Sequence, residues 1–291
     1  MIEEAKIYLV DAFTTEAFGG NPAGVCITKE PLDEEVMAKV AREWRLSETA
    51  FITPMDRNLY QVRFFTPVAE VDLCGHATIA SFYVLAKEGF IHPLHEETVV
   101  EQLTKVGRLG VRILAKDGEV EQVWMEQGEA QDFGAYDRRD LLERLLGLSY
   151  EEMTVDGTSL TPRLLSTGLK DLFVPVKSRE LLDGIVLDPA AAQELYEDAE
   201  ALSVHVFTTE EGIVHQRNFS PVLGIEEEAA TGTSTGALYA WLNKEGLASE
   251  DFFAIQGEAM GRPSKIFARQ EAGRVVVGGS ARILMAGVLH V

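Results

Sequence analysis

A chain of 291 residues with 46% hydrophobic content can bury one large core or two of ordinary domain size. Its 47 acidic residues against 26 basic give a formal charge of -21, a field that repels nucleic acid and anionic lipid, so neither is expected as a partner. Two cysteines, Cys26 and Cys74, are too few for a disulfide framework or a thiolate metal cage, and no apolar run approaches membrane-spanning length; a cytoplasmic protein without membrane contact is expected.

In chain order, KIYLV is a predicted strand, and residues 33–45 form an amphipathic helix capped by Asp33 with Val36, Val40 and Trp44 on one stripe. AFIT and YQVRFF follow as strands. CGHATIASFYVL, residues 74–85, is a helix apolar on nearly every face and closed by Gly89. TVVEQL, GVRIL and EQVWM are further strands, followed by a helix around Arg138 to Leu146 that its charge marks as exposed. After the strand LFVPV, Asp188 and Pro189 open another helix, also exposed by its charge. VHVFT and IVHQRNF are strands, Gly246 closes a helix, and FFAIQ and RVVVGG complete a sheet-rich chain.

The chain also matches itself. RFFTPVAEVDLCGHATIASFYVL from Arg63 corresponds to RNFSPVLGIEEEAATGTSTGALYAWL from Arg217, sharing Arg-x-Phe-Ser/Thr-Pro-Val. The offset is 154 at Arg63/Arg217, 157 at Gly75/Gly232, and 154 again at Gln102/Gln256 and at Gly107-Arg108/Gly261-Arg262. Two related halves follow, residues 1–118, joined by 280–291, and 119–279. They are expected to pack around a cleft.

The matching helix starts, Gly75-His76-Ala77 and Gly232-Thr233-Ser234, carry free N–H groups and a positive partial charge, so each can hold a carboxylate or phosphate. His76 lies at one such end and Thr233 at the other. Of the three carboxylates Glu226, Glu227 and Glu228, at most one is compatible with an anion site, and Glu228 is the expected one. Asn21, in the glycine-rich turn GGNPAG, either lines the cleft or caps the turn. His92 and His95 have a ligand-like spacing, but the proline between them and the lack of a third donor argue against a metal.

Taken together, DAFTTEAFGGNPAGV at 11–25, LSETAFI at 46–52, RFFTPVAEVDLCGHAT at 63–78, LSTGL at 165–169, EEAATGTSTGAL at 227–238 and QGEAMGRPSKI at 256–266 resemble the phenazine-biosynthesis PhzF-like proteins. The resemblance implies an α+β fold like that of diaminopimelate epimerase: two pseudo-symmetric domains, each a curved, mostly antiparallel sheet or barrel wrapped around a central helix. It also implies a homodimer and a cofactor-independent isomerase acting on a small carboxylated substrate.

By the same resemblance Glu48 is the catalytic acid/base, the counterpart of a glutamate that moves a proton between carbons of a dihydro-hydroxyanthranilate. His76 stands against the substrate, and Glu228 takes the place of a catalytic aspartate. Asn21, Gly75, Ala77, Gly232, Thr233 and Ser234 are substrate-binding candidates. A carboxyl group in a closed, partly apolar site can both take and return a proton. Read without the resemblance, Glu48 is an exposed carboxylate at a strand start.

The family pattern Glu-Asp-Pro-Ala-Thr-Gly-Ser is here Glu227-Glu228-Ala229-Ala230-Thr231-Gly232-Thr233. The longer acid at 228, the extra methyl at 233 and the lost proline at 229 argue against the phenazine substrate itself. Related racemases use two cysteines; here Cys74 has Thr231 as its repeat partner, so one-base proton transfer is favoured over stereoinversion. A second reading keeps the cleft as a non-catalytic binding or regulatory pocket.

Overall fold

The computed structural model describes residues 4–92 and 96–290. The chain divides into two compact units, one running to Glu126 and resuming at Gly278, the other spanning Gln127–Val277.

The first unit opens with β1 (Glu4–Ala12) and β2 (Asn21–Ile27), paired antiparallel. At the end of their connection, Gly20 has φ +62°, and a Cβ there would lie 2.2 Å from the Ala12 carbonyl oxygen, so only glycine fits the turn. Next come α1 (Glu34–Trp44), β3 (Glu48–Asp56), β4 (Leu59–Phe65), the two-residue β5 (Glu70–Val71) and α2 (Gly75–Lys87). β6 (Glu97–Thr104), β7 (Gly107–Lys116) and β8 (Glu119–Glu126) end this stretch. The pairs β2–β3 and β4–β6 are parallel, whereas β3–β4, β6–β7 and β7–β8 are antiparallel. The unit reaches Glu126 rather than residue 118, because β8 continues the sheet from β7.

The second unit holds β9 (Gln131–Ala135), α3 (Arg139–Leu146), β10 (Arg163–Ser166), β11 (Lys170–Pro175), α4 (Arg179–Gly184), α5 (Pro189–Ala199), β12 (Ser203–Glu210) and β13 (Ile213–Ser220). β14 (Ile225–Glu228), α6 (Gly232–Lys244), β15 (Phe253–Gln256), β16 (Ser264–Glu271) and β17 (Arg274–Gly279) follow. β18 (Ala281–His290) returns to the first unit and pairs antiparallel with β1.

The repeat in the sequence is a repeat in topology. β11–β12 parallel, β12–β13 antiparallel and β13–β15 parallel around α6 reproduce β2–β3, β3–β4 and β4–β6 around α2. Each central helix is apolar on most faces. Within its own unit α2 packs against β1, β2, β3, β7, β8 and β18, and α6 against β10 and β16. Both end alike: Phe90 N–H reaches the Leu85 carbonyl at 2.8 Å past Gly89 (φ +77°), and Leu247 N–H reaches that of Leu242 at 2.8 Å past Gly246 (φ +73°).

Three expectations are corrected. Asp33 occupies the N-cap of α1 but its side chain makes no capping bond. α3 and α5 are not mainly surface helices: Leu141, Leu142, Leu145, Leu146, Ala191 and Leu195 are buried in one cluster with Val174 and Val204. The charges on α3 and α5 occupy only the outward stripe, and Arg138 pairs with Glu194 and Asp198 there. The short helix α4 has no counterpart among the predicted elements.

Candidate active site

In the first unit three element starts converge. Asn21 opens β2, Glu48 opens β3, and Gly75 opens α2 with Cys74 at its N-cap. The parallel register sets Ala23 beside Glu48, and Gly24 lets the strands meet α1: a Cβ at Gly24 would lie 2.6 Å from the Trp44 ring.

His76 is the hub of this arrangement and is buried. Its Nδ1 lies 3.3 Å from Asn21 Nδ2 and 3.5 Å from Cys74 Sγ; its Nε2 lies 3.3 Å from both Ser47 Oγ and Glu48 Oε2. Burial pushes the imidazole pKa down, with the Glu48 charge opposing. The Asn21 amide nitrogen can only donate, so Nδ1 accepts and the single ring proton of the neutral form sits on Nε2, facing Ser47 and Glu48. Glu48 Oε2 is itself buried without a hydrogen-bond partner; its approach to Nε2 is an electrostatic pairing without hydrogen-bond geometry. The Glu48 side chain is 13% exposed, which removes the reading of an exposed strand-start carboxylate.

Gly75 leaves open space over the helix end, where the nearest atom to an added Cβ is Met125 Sδ at 4.0 Å. Ala77 is buried, and the first turn of α2 carries no acidic residue to cancel its positive end. The carboxylate, thiol and imidazole of Glu48, Cys74 and His76 have donor atoms within 4.8 Å of one another. Cys74 lies against Nδ1 of the ring and Glu48 against Nε2. His95, half of the ligand-like pair with His92, lies outside the described residues.

In the second unit, α6 opens with Gly232, Thr233 and Ser234, also without an acidic residue in its first turn. Thr231, the repeat partner of Cys74, is tied to Gln256: its N–H donates to Oε1 at 3.1 Å and its Oγ1 accepts from Nε2 at 3.0 Å. The buried thiol of Cys26, pushed up to about 12, stands on β2 in an apolar cluster with Met37, Val40 and Phe51. Thr233 is half-buried, and its carbonyl accepts from Thr167 Oγ1 at 2.8 Å. Among the three adjacent carboxylates Glu226 is exposed, Glu227 is paired with Arg217, and Glu228 is half-buried with its carbonyl held by Gln256 Nε2 at 2.8 Å.

Behind the start of α6 lies a polar network that the sequence reading missed. Asp171, buried on β11, accepts from Ser203 Oγ and from Ser234 Oγ at 2.5 Å. Asn218 Nδ2 donates to Ser234 Oγ at 3.3 Å and to His205 Nδ1 at 3.0 Å. The hydroxyl of Ser234 is therefore engaged inside the second unit, and its backbone N–H is what it presents at the helix end. The visible signal was a single Asp or His inside an otherwise apolar run, DLFVPV and SVHVFT.

Burial raises the Asp171 carboxyl to about 6 against its two serine bonds, and lowers His205 to about 4; the nearby Gln216 side chain opposes the latter shift, although no hydrogen bond to Nε2 forms. The folded state holds the Asp171 proton more tightly than the unfolded chain, so this group adds stability as pH falls from about 6 to 3.8. His205 does the reverse: the unfolded chain takes its proton first, and stability is lost as pH falls from 6.5 to about 4. The two slopes oppose each other. In urea melts between pH 4 and 7, His205→Phe is expected to gain stability on acidification relative to the parent chain, and Asp171→Asn to lose it.

The chain matches the family described as phenazine biosynthesis-like protein, PhzC-PhzF, over residues 10–287. It is 33% identical to the uncharacterized isomerase YfhB of Bacillus subtilis, covering 98% of this chain and 96% of that protein. Among solved structures, a PhzF-family phenazine biosynthesis protein of Bacillus anthracis is similar at 25% identity and a TM-score of 0.83, covering 99% of this chain and 100% of the other. A predicted epimerase of Pseudomonas aeruginosa is similar at 25% identity and a TM-score of 0.83, covering 98% and 99%. The fold is diaminopimelate epimerase-like, and the protein is an isomerase-type enzyme. Matched over nearly its whole length, the chain belongs to the PhzC-PhzF phenazine biosynthesis-like family.

Proposed function

We propose that this enzyme shifts a proton along one face of a small enolisable or unsaturated carboxylic acid, without a cofactor, and that Glu48 carries the proton. The observation that supports this most is the Glu48 carboxylate: Oε2 is buried, lacks a hydrogen bond, and lies 3.3 Å from the neutral side chain of His76. A buried carboxylate oxygen left unpaired costs stability in the resting protein, and a substrate C–H or O–H supplies the missing partner.

In this reading His76 gives its Nε2 proton as a hydrogen bond to a substrate oxygen, and Asn21 on Nδ1 keeps the tautomer that makes it a donor. The free N–H groups of Gly75, His76 and Ala77 hold the substrate carboxylate or the negative charge that develops as the proton leaves. The start of α6, with Gly232, Thr233 and Ser234, is a second anion-holding end of the same kind, and Glu228 is a second carboxylate for proton handling. One glutamate rather than two cysteines serves the chemistry, since Thr231 stands where a second thiol would be needed. A cytoplasmic homodimer belongs to the same proposal.

The test is solvent-deuterium exchange by the full chain into a panel of small cyclic and acyclic acids with enolisable or allylic C–H bonds. Deuterium entering one carbon of at least one acid, catalytically and without added metal or cofactor, is the expected result. Binding of panel acids without label entering any of them would replace the isomerase reading with a ligand-binding one.

A further inference from the structure

Of the four linked residues behind α6, only Ser203 has a polar counterpart at the matching described positions of the first unit. By the repeat offsets, Ser203, Asn218 and Ser234 correspond to Thr49, Phe64 and Ala77; by strand register, Asp171 beside Ser203 corresponds to Gly24 beside Thr49. Where the first unit packs a glycine against the Trp44 ring, the second buries a carboxyl group that water would solvate far better. Such a group persists at a cost, so what it holds is informative.

It holds the first turn of α6. Ser234 Oγ donates to Asp171 Oδ2 at 2.5 Å and accepts from Asn218 Nδ2, which fixes the hydroxyl and hence the second residue after Gly232. Thr167 Oγ1 secures the Thr233 carbonyl, and Gln256 secures Thr231 on either side of the helix start. No side chain caps this helix from its N-cap position, so the anchoring comes from the strands behind it. A charge-assisted bond is about twice as strong as a neutral one, which makes the Asp171–Ser234 contact the principal tie.

We infer that Asp171 is a positioning residue: acting through Ser234, it fixes the first turn of α6 so that the N–H groups of Gly232, Thr233 and Ser234 keep the geometry needed to hold a substrate carboxylate. The ligand class rests on the proposed function; the anchoring of the turn does not. Ser203, on the far side of the carboxyl, orients Asp171 and makes no contact with α6 among the hydrogen bonds of the described residues.

The experiment is amide hydrogen exchange on the full chain, read for the segment 231–238 and, as an internal reference, for α2 and α5. Asp171→Asn and Ser234→Ala are expected to lower protection of 231–238 by about fivefold to tenfold with the reference segments unchanged. The double variant should be little worse than Ser234→Ala alone, since the Asp171–Ser234 bond is the one contact both changes affect, and Ser234→Thr, which keeps a hydroxyl, should retain protection. Equal protection in the parent chain and Asp171→Asn, with both folded by circular dichroism, would overturn the inference; so would additive losses in the double variant. Because the readout requires no turnover, its failure would leave the isomerase reading untouched, and failure of the exchange panel would leave the anchor standing.

Discussion

Replacing Glu48 with glutamine is expected to lower deuterium exchange into any acid the enzyme processes by about 10²–10⁴-fold, the usual contribution of a positioned general acid/base. The substitution is nearly isosteric and keeps a polar group at the start of β3, so the fold and the binding of the acid should persist while the rate falls. His76→Asn should cost less in rate than Glu48→Gln, because the imidazole polarises and orients where the carboxylate carries the proton. A variant of Glu48 with reduced binding and unchanged exchange per bound ligand would reverse these assignments. Mass-spectrometric label uptake at saturating acid separates the two outcomes.

The second large effect concerns stability and sets the two repeats against each other. Arg63 and Arg217 occupy the same repeat position, and each grips a glutamate with two nitrogens: Glu70 at 2.6 and 2.7 Å, Glu227 at 2.8 and 2.8 Å. Their surroundings differ. The Arg63 side chain is 25% exposed, and Lys105 also reaches Glu70 at 2.7 Å, so losing Arg63 leaves that carboxylate with a partner. Arg217 is 10% exposed, and its Nη1 also donates to the carbonyls of Leu182, Asp183 and Ile185. Removing it strands one nearly buried carboxylate and takes a donor from three backbone oxygens, of which that of Leu182 keeps the Ile185 N–H. Arg217→Met is therefore expected to cost about 3–5 kcal/mol, and Arg63→Met about 1 kcal/mol, in urea-denaturation midpoints converted at a common slope.

Much of the architecture was legible because the repeat is written in residues that hold it together. Arg63 and Arg217 pin the strands before each central helix, and Gly89 and Gly246 end those helices in the same left-handed step. Gln256 shows why a glutamine recurs: it bonds Gln216, the Glu228 carbonyl and both the N–H and hydroxyl of Thr231. Its partner Gln102 is equally buried and meets Thr78 at 3.4 Å. Such residues mark their positions by type and spacing together.

What escaped the sequence was of two kinds. α4 spans six residues, too short for a periodic stripe, and α3 and α5 bury a leucine face that their many charges concealed. The Asp171 network draws single residues from β11, β12, β13 and α6, far apart in the chain, so no local motif announces it. Glu48 presents the same difficulty: only the approach of β3 to the start of α2, set by the parallel β2–β3 register, brings it to His76. Chemistry assembled across strands is legible in three dimensions and nearly silent in one.

The most direct measurement for the central claim is chemical rescue. Glu48→Ala, assayed for deuterium exchange with and without formate, should be nearly inactive alone and regain exchange in a saturable, formate-dependent way, because a small carboxylic acid can occupy the space and do the work of the missing side chain. Exchange by Glu48→Ala at the parent rate with no added carboxylate would contradict the account.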